Sequence, residues 1–236
     1  MDDLLTAILQ RRAIKVFDAV PISCEFRDQI LNAARSAPSS FNIQPYRLIW
    51  VESPEALREA ARLCLGQSPA TTASVLVVAV ADLGSWHTTT REHLKWMRAA
   101  GFPAEKIAYH EKRAGFAKWF FLQGWFGVFG YLKAFVLRIV NSWKIIGRLP
   151  VGKRGMFKWA TKSTALACQN LMIAAEALGF NTCPMEGFDG RRLSKFLGLS
   201  RRYHEIVMVI AIGKKSARHS DQPQWRRPLE STVQFL

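Results

Sequence analysis

The sequence lacks an apolar run long enough to cross a membrane. A spanning helix needs about 20 predominantly apolar residues, whereas the most apolar stretch, residues 119–132, covers fourteen positions between Lys118 and Lys133 and contains three glycines. The N-terminus begins acidic and lacks the basic start, apolar run and small-residue cleavage site of a signal peptide. We therefore expect a cytoplasmic protein.

Cysteine is scarce, and motifs for metal ligation are missing. The four cysteines are widely spaced without a CxxC pair, so neither a zinc site nor a disulfide scaffold is indicated, and a reducing compartment fits best. The five histidines form no HxxxH or HExxH spacing, which predicts no bound metal. GxSxG, P-loop and GxGxxG motifs are also absent.

Acidic residues are missing from residues 112–175, which hold eleven of the 33 basic residues. The net charge of +15 indicates an anionic partner: a nucleic acid, a membrane surface or a phosphorylated small molecule. The basic residues of this region alternate with bulky apolar ones instead of forming a polar stripe, and no nucleic-acid motif is present, which argues against nucleic acid. A merely solvated basic face also fits the pattern.

Hydrophobic periodicity predicts an α+β chain without linkers or repeats. Apolar periodicity predicts four helices, near residues 2–11, 24–36, 54–65 and 163–178, the last ended by Gly179. Apolar runs of strand length lie at residues 46–51, 73–80 and 205–213. We expect residues 1–236 to form a single domain with helices packed on a small sheet.

Three separated stretches offer groups that could hold a polar ligand. "RRAIKVFD" (residues 11–18) places cations after the first helix, where they can complement the helix dipole or grip an anion. "APSSFNIQPYRLIWV" (37–51) offers hydroxyls and amides in a loop before a strand. "NTCPMEGFD" (181–189) places an acid between a proline and a glycine. Each stretch alone is better explained by turn chemistry than by ligand binding.

Together, in order and spacing, these stretches resemble the FMN-dependent nitroreductase family over most of residues 1–83 and 161–236. The resemblance implies a three-layer fold with a central, mostly antiparallel sheet, and a homodimer with FMN at the subunit interface. The implied cofactor-binding residues are Arg11, Arg12, Ala13, Lys15, Pro38, Ser39, Ser40, Asn42, Gln44, Gln67, Pro184, Met185, Glu186, Gly187 and Arg226. In the family the 38–44 loop reaches the flavin across the dimer interface, and the 184–187 turn lies against the ring.

The chemistry of FMN suits these residues. Its phosphate dianion matches Arg11, Arg12 and Arg226, and Lys15 would favour the reduced ring, whose pyrimidine edge gains negative charge. The backbone N–H groups of Glu186 and Gly187 could hydrogen-bond flavin N5. The family relationship implies a ping-pong reaction, in which NAD(P)H reduces the flavin and a nitroaromatic, quinone or similar apolar acceptor removes the electrons.

Two departures from the family pattern bear on the phosphate contacts. Ala13 stands where the family usually has Ser, so one hydrogen bond worth roughly 1–3 kcal/mol is missing unless another group replaces it. Gln224 stands where some relatives have a second cation.

Two functions are alternatives to a ping-pong reductase. One is a specialised flavin enzyme, such as a dehydrogenase or an enzyme that reductively removes a substituent, and the other is a membrane-surface flavin-binding protein with little catalysis.

Residues 101–160 form an atypical basic and aromatic insert, within which residues 117–144 show helical periodicity. The spacing predicts one amphipathic helix. Its broad apolar face comprises Phe121, Leu122, Trp125, Val128, Phe129, Leu132, Phe135, Val136, Ile139 and Trp143. Its polar face comprises Gln123, Gly127, Gly130, Lys133, Arg138, Asn141 and Lys144. Two uses fit this helix: a lid over the flavin, or a lid that also contacts an anionic membrane at the inner face.

Overall fold

A central antiparallel sheet carries the fold in the computed structural model, which describes residues 2–124, 128–145 and 150–236. The α-helices are α1 (Asp2–Gln10), α2 (Cys24–Arg35), α3 (Pro54–Leu63), α4 (Ser68–Thr72), α5 (Trp86–Ala99), α6 (Ala104–Phe121), α7 (Val128–Val140), α8 (Gly152–Ala177) and α9 (Gly190–Phe196). The strands are β1 (Phe17–Asp18), β2 (Tyr46–Val51), β3 (Val75–Asp82), β4 (Asn181–Met185) and β5 (His204–Lys215).

The strands pair in the order β1-β5-β3-β2, and β4 also pairs with β5. All of these pairings are antiparallel; Val78 of β3, for example, lies opposite both Ile49 of β2 and Val209 of β5. Every residue of β3 is buried, as expected of a strand covered on both faces. The predicted α+β class and mostly antiparallel sheet are confirmed.

Helices cover both faces of the sheet and so create two hydrophobic cores. On one face, alternate β3 residues such as Val77 pack with Ile30 of α2 and Leu171 of α8. On the other face, Val78 packs with Ala60 of α3 and Leu193 of α9. Period-two alternation along β3 thus divides its side chains between the two layers of helices.

Helix α8 is longer than the predicted helix at residues 163–178. It begins at Gly152, and its first turns bury Met156, Phe157 and Ala160 between exposed cations. At its other end Gly179 adopts φ +74° and its N–H donates to the Glu176 carbonyl (2.9 Å). Gly179 therefore ends the helix as predicted, because glycine tolerates the left-handed conformation.

The single amphipathic helix predicted across residues 117–144 is wrong. Helix α6 ends at Phe121, Leu122 is extended, and Gly124 adopts φ +70° before α7 begins at Val128. A Cβ at Gly124 would lie 2.7 Å from the Phe129 Cβ, so this close turn requires glycine. Trp125 and Gly127, which the prediction included, and Arg148 of the basic set lie outside the described residues.

The predicted faces of this segment are also wrong in part, although Phe121 is buried and Arg138 is exposed as predicted. Gly130 and Lys133, assigned to the polar face, are buried, whereas Leu132, Phe135 and Ile139 are exposed. The reason is that Lys133 is needed inside, where its ammonium donates to the Trp119 and Leu122 carbonyls at the end of α6 (2.7 and 2.6 Å). Among the described residues, no helix is both long enough and apolar enough to cross a membrane.

Candidate active site

The segment after α1 runs alongside β4 and brings two of the predicted groups together. Ala13 forms a parallel bridge with Thr182, and the Ile14 N–H donates to the Thr182 carbonyl (3.0 Å). The Lys15 ammonium reaches the Cys183 Sγ at 3.4 Å. The "RRAIK" and "PMEG" stretches, 170 residues apart in the chain, are therefore neighbours in the fold.

Gln67 fixes the turn that follows β4. Its Nε2 donates to the Gly187 carbonyl (2.6 Å) and to the Cys64 carbonyl (2.9 Å). A Cβ at Gly187 would lie 3.1 Å from the same Nε2, so a side chain at that position would press on the carboxamide. Burial raises the pKa of Cys64 to about 11, so this thiol stays protonated and is not a nucleophile. Gln67, Glu186 and Gly187 thus form one structural unit.

A cationic cleft of about 460 Å³ opens where the segment after α1 meets the C-terminal residues. It is lined by Arg11, Arg12, Ala13, Lys15 and residues 219–226, which include Arg226. The lining acid Asp221 is paired with Lys215, which lowers the Asp221 pKa. The cleft therefore brings four cations, Arg11, Arg12, Lys15 and Arg226, to one place.

Arg11 of this cleft has a buried guanidinium nitrogen that a ligand could pair with. Its Nη1 is buried and has no hydrogen-bond partner among the described residues. A buried guanidinium nitrogen left unpaired costs free energy, and a phosphate is the partner that its planar fork fits best. On the far wall, the Gln224 carboxamide accepts from the Arg226 guanidinium and donates to the Leu9 carbonyl (3.1 Å) in the orientation that pairs both of its polar atoms.

The loop of residues 38–44 lies elsewhere on the molecule. Phe41, Asn42 and Gln44 adopt φ values of +58°, +53° and +50°. The Gln44 N–H donates to the Ser39 hydroxyl (3.0 Å), and the Gln44 Nε2 donates to the Asn42 Oδ1 (3.2 Å). Such conformations are costly for residues other than glycine and occur most often where a loop serves a ligand. Pro38, Ser40 and Asn42 remain exposed.

The contacts of this loop are with the insert. Phe41 lies beneath the Arg113 guanidinium (5.2 Å to the ring centroid) and beside Phe116 of α6 (6.1 Å between centroids). The structure brings Arg11, Arg12, Ala13, Lys15 and Arg226 together in the cleft, whereas the 38–44 loop lies apart from them within the described residues of the single chain.

Three residues of the cluster escaped the sequence analysis. Cys183 contacts Lys15, the His219 Nδ1 accepts from the Lys15 N–H (3.2 Å), and the hydroxyl of Thr182 is buried with no partner among the described residues. Thr182 and Cys183 could have been found from their place immediately before Pro184. His219 follows the end of β5 and gave no signal, because its role depends on which strand β1 joins.

Comparisons with known proteins identify the family of this chain. A model of the Nitroreductase family matches residues 8–214. This chain belongs to that family. It is 31% identical over 227 residues to Protein DrgA of Synechocystis, covering 95% of this chain and 89% of the relative. It is 29% identical over 234 residues to an NADH dehydrogenase of Thermus thermophilus, covering 98% and 95%.

Among solved structures, a family member from Exiguobacterium sibiricum in complex with FMN superposes with a TM-score of 0.75 at 21% identity. It covers 99% of this chain and 97% of the other. This likeness confirms the nitroreductase fold. Within the described ranges, no group of three or more His, Cys, Asp or Glu side chains is arranged to hold a metal ion.

Proposed function

We propose that this nitroreductase-family protein is an FMN-dependent oxidoreductase that takes electrons from NADH or NADPH and delivers them to a small aromatic or quinone-like acceptor. The observation that carries the proposal is that Arg11 lines a four-cation cleft and its buried Nη1 has no hydrogen-bond partner among the described residues. A phosphate dianion would satisfy that nitrogen, and the attached planar ring would extend along β4, which meets the cleft segment at the Ala13–Thr182 bridge, toward the Gly187 turn. The residues present therefore fit FMN.

Each part of the cluster has a role in this proposal. Arg11, Arg12 and Arg226 hold the phosphate, and Pro184, Met185, Glu186 and Gly187 lie along the ring. Since Gln67 uses its nitrogen on two carbonyls, its oxygen is the atom left to accept a hydrogen bond from the flavin. Ser220 lines the same cleft and is a candidate to replace the serine that the family usually has at Ala13.

When bound, FMN supplies a two-electron centre that accepts hydride from the nicotinamide. The protein's contribution is electrostatic and positional. Lys15 stabilises negative charge that develops on the pyrimidine edge, and Cys183 and His219 orient Lys15. The N–H groups of Glu186 and Gly187 would hydrogen-bond N5 of the bound cofactor. No side chain is required to transfer a proton from carbon, so Glu186 need not act as a base.

A homodimer accounts for the separation of the cleft from the 38–44 loop. In this proposal the loop of one copy, with Pro38, Ser39, Ser40, Asn42 and Gln44, completes the flavin site of the other. The exposed leucines of α1 (Leu4, Leu5 and Leu9) and the exposed C-terminal residues 228–236 supply apolar surface for the partner to cover.

Two other roles remain open for the insert at residues 101–160. As part of a single domain it serves as a lid that shapes the acceptor pocket, because its helix α6 packs on Phe41 of the 38–44 loop. The apolar exposure of α7 favours an added contact with an anionic membrane. A specialised dehydrogenase, or a membrane-surface flavin protein with little catalysis, is the alternative to a broad reductase.

Steady-state kinetics test the proposal. The FMN-reconstituted protein is assayed with NADH and with NADPH against a nitroaromatic and a quinone. We expect nicotinamide oxidation that depends on both FMN and acceptor, with parallel double-reciprocal lines as a ping-pong reaction requires. Intersecting lines would exclude ping-pong, and no oxidation with any acceptor would exclude the reductase function in favour of a binding role.

A further inference from the structure

Helix α7 exposes more apolar side chain than a helix needs to pack on its own chain. Phe135 is 63% exposed, Leu132 54% and Val136 48%, and Ile139 and Trp143 continue the same exposed surface. We call these five residues the apolar face. Contiguous exposure of this kind marks a surface that contacts a partner or a membrane.

Lys133 and Gln123 hold together the hairpin that α6 and α7 form. Lys133 closes the end of α6 by donating to two carbonyls, and its ammonium lies 4.9 Å from the Trp119 ring centroid. The Gln123 carbonyl accepts from the Gly130 N–H (3.1 Å), and the Gln123 Oε1 accepts from the Gly152 N–H (2.9 Å). These bonds fix α7 with its apolar face outward.

A cationic surface continues from this hairpin. Tyr131 of α7 lies against the start of α8, where a Cβ at Gly152 would be 3.2 Å from its hydroxyl. The next residue, Lys153, donates from its ammonium to the Arg201 carbonyl (2.6 Å). Arg201 in turn lines a cavity of about 740 Å³ with three more cations, Arg191, Arg192 and Lys195. Lys153 and these four residues form the basic rim.

Charge complementarity identifies the occupant. Residues 112–175, which carry the apolar face and Lys153, contain no acidic residue. In the cavity of the basic rim the acid Asp189 is paired with Arg192 (3.1 Å), which leaves Arg191, Lys195 and Arg201 in excess. Apolar and aromatic side chains flanked by cations are the pattern of a monotopic helix lying in the headgroup region of an anionic bilayer.

We infer that this protein docks on anionic membrane surfaces, with the apolar face in the lipid and the basic rim on the phosphate groups. The inference deepens the proposed function, on which its purpose rests, since docking would carry the flavin site to acceptors dissolved in the bilayer. The contact itself does not require a working flavin.

Vesicle co-sedimentation of the purified, FMN-reconstituted protein tests the inference. We expect binding to phosphatidylcholine vesicles that contain phosphatidylglycerol and little binding to phosphatidylcholine alone, with salt weakening the binding. Phe135→Ser combined with Val136→Ser should lower the bound fraction about tenfold. Val20→Ser is the matched control, because Val20 is similarly exposed (43%) on another surface and should leave binding unchanged.

A second pair of variants tests the contribution of the basic rim to vesicle binding. Arg201→Gln should weaken binding to the anionic vesicles, whereas Arg58→Gln on α3, which removes the same charge from an exposed site, should not. Equal sedimentation of the wild type and the Phe135/Val136 variant would overturn the inference. So would a change of oligomer mass in that variant without a change in vesicle binding, which would assign the face to a second copy of the chain. Flavin absorbance in the pellet is read separately, so a colourless protein that still sediments contradicts the flavin proposal alone.

Discussion

At the scale of single residues, Arg11 links the fold to the proposed cofactor. Because its Nη1 is buried with no hydrogen-bond partner among the described residues, Arg11→Met should change the stability of the apoprotein little. The same change should weaken FMN binding by about 2 kcal/mol, or roughly thirtyfold in Kd, since a charge-assisted hydrogen bond is lost. Flavin-fluorescence titration and thermal unfolding of the apoprotein measure the two effects. Arg58→Met serves as the control, and an unchanged Kd in Arg11→Met would remove Arg11 from the site.

His204 gives a pH dependence whose direction follows from its surroundings. Burial is the main cause that lowers the His204 pKa, with Arg47 acting in the same direction and Asp82 opposing it. The His204 Nδ1 also accepts from the Ser200 N–H (3.0 Å), a bond that protonation of this nitrogen would break.

The unfolded chain therefore binds the His204 proton first as the pH falls below 6.5, and the folded protein loses stability between pH 7 and the lower folded pKa. Urea unfolding at pH 7 and pH 5.5 measures this loss, and His204→Gln should lose less stability than the wild type over that interval. Equal losses in both proteins would assign the acid sensitivity to other groups.

At the scale of elements, the hydrophobic pattern predicted the regular strands but did not predict the break between α6 and α7. The apolar runs predicted β2 with its bounds and β3 and β5 within two residues at each end, because a strand covered on both faces leaves a continuous apolar signature. The break after Phe121 could not be predicted, since spacing alone registers neither the positive φ of Gly124 nor a lysine used as a buried donor.

Burial of Lys133 makes this side chain an important contributor to the α6–α7 hairpin. Desolvation lowers the Lys133 pKa, and the hydrogen bonds that its ammonium donates to the Trp119 and Leu122 carbonyls offset the cost of burial. Lys133→Met should leave the Trp119 and Leu122 carbonyls without this donor and speed proteolytic cleavage between α6 and α7 at least severalfold. Lys144→Met, at an exposed position, is the control, and an unchanged cleavage rate in Lys133→Met would show that other contacts hold the hairpin.

At the scale of the whole molecule, the site could be predicted only as separate parts. The three stretches and Arg226 were identified through their resemblance to the family. Their proximity depends on the Ala13–Thr182 bridge and on β4 and β1 both pairing with β5, which are long-range pairings that no local pattern specifies. The contacts of Thr182, Cys183 and His219 follow from that same topology.

The proposed homodimer gives a prediction at this scale. Light scattering should report twice the 26.7 kDa chain mass. Leu5→Glu with Leu9→Glu, at α1 positions that are 58% and 70% exposed, should yield monomers that also bind FMN weakly, because the 38–44 loop no longer reaches the second site. Leu65→Glu, at a 68% exposed position on another surface, should stay dimeric. A wild-type monomer that binds FMN fully would contradict this assembly.

The central claim is that the cationic cleft and the Gly187 turn hold a redox-active flavin. An anaerobic absorbance titration of the purified protein with NADH tests it most directly. The account predicts a yellow protein with one FMN per chain, bleached by NADH and restored to its oxidised spectrum by an added quinone. A colourless protein that FMN cannot reconstitute, or bound flavin that neither NADH nor NADPH bleaches, would contradict it.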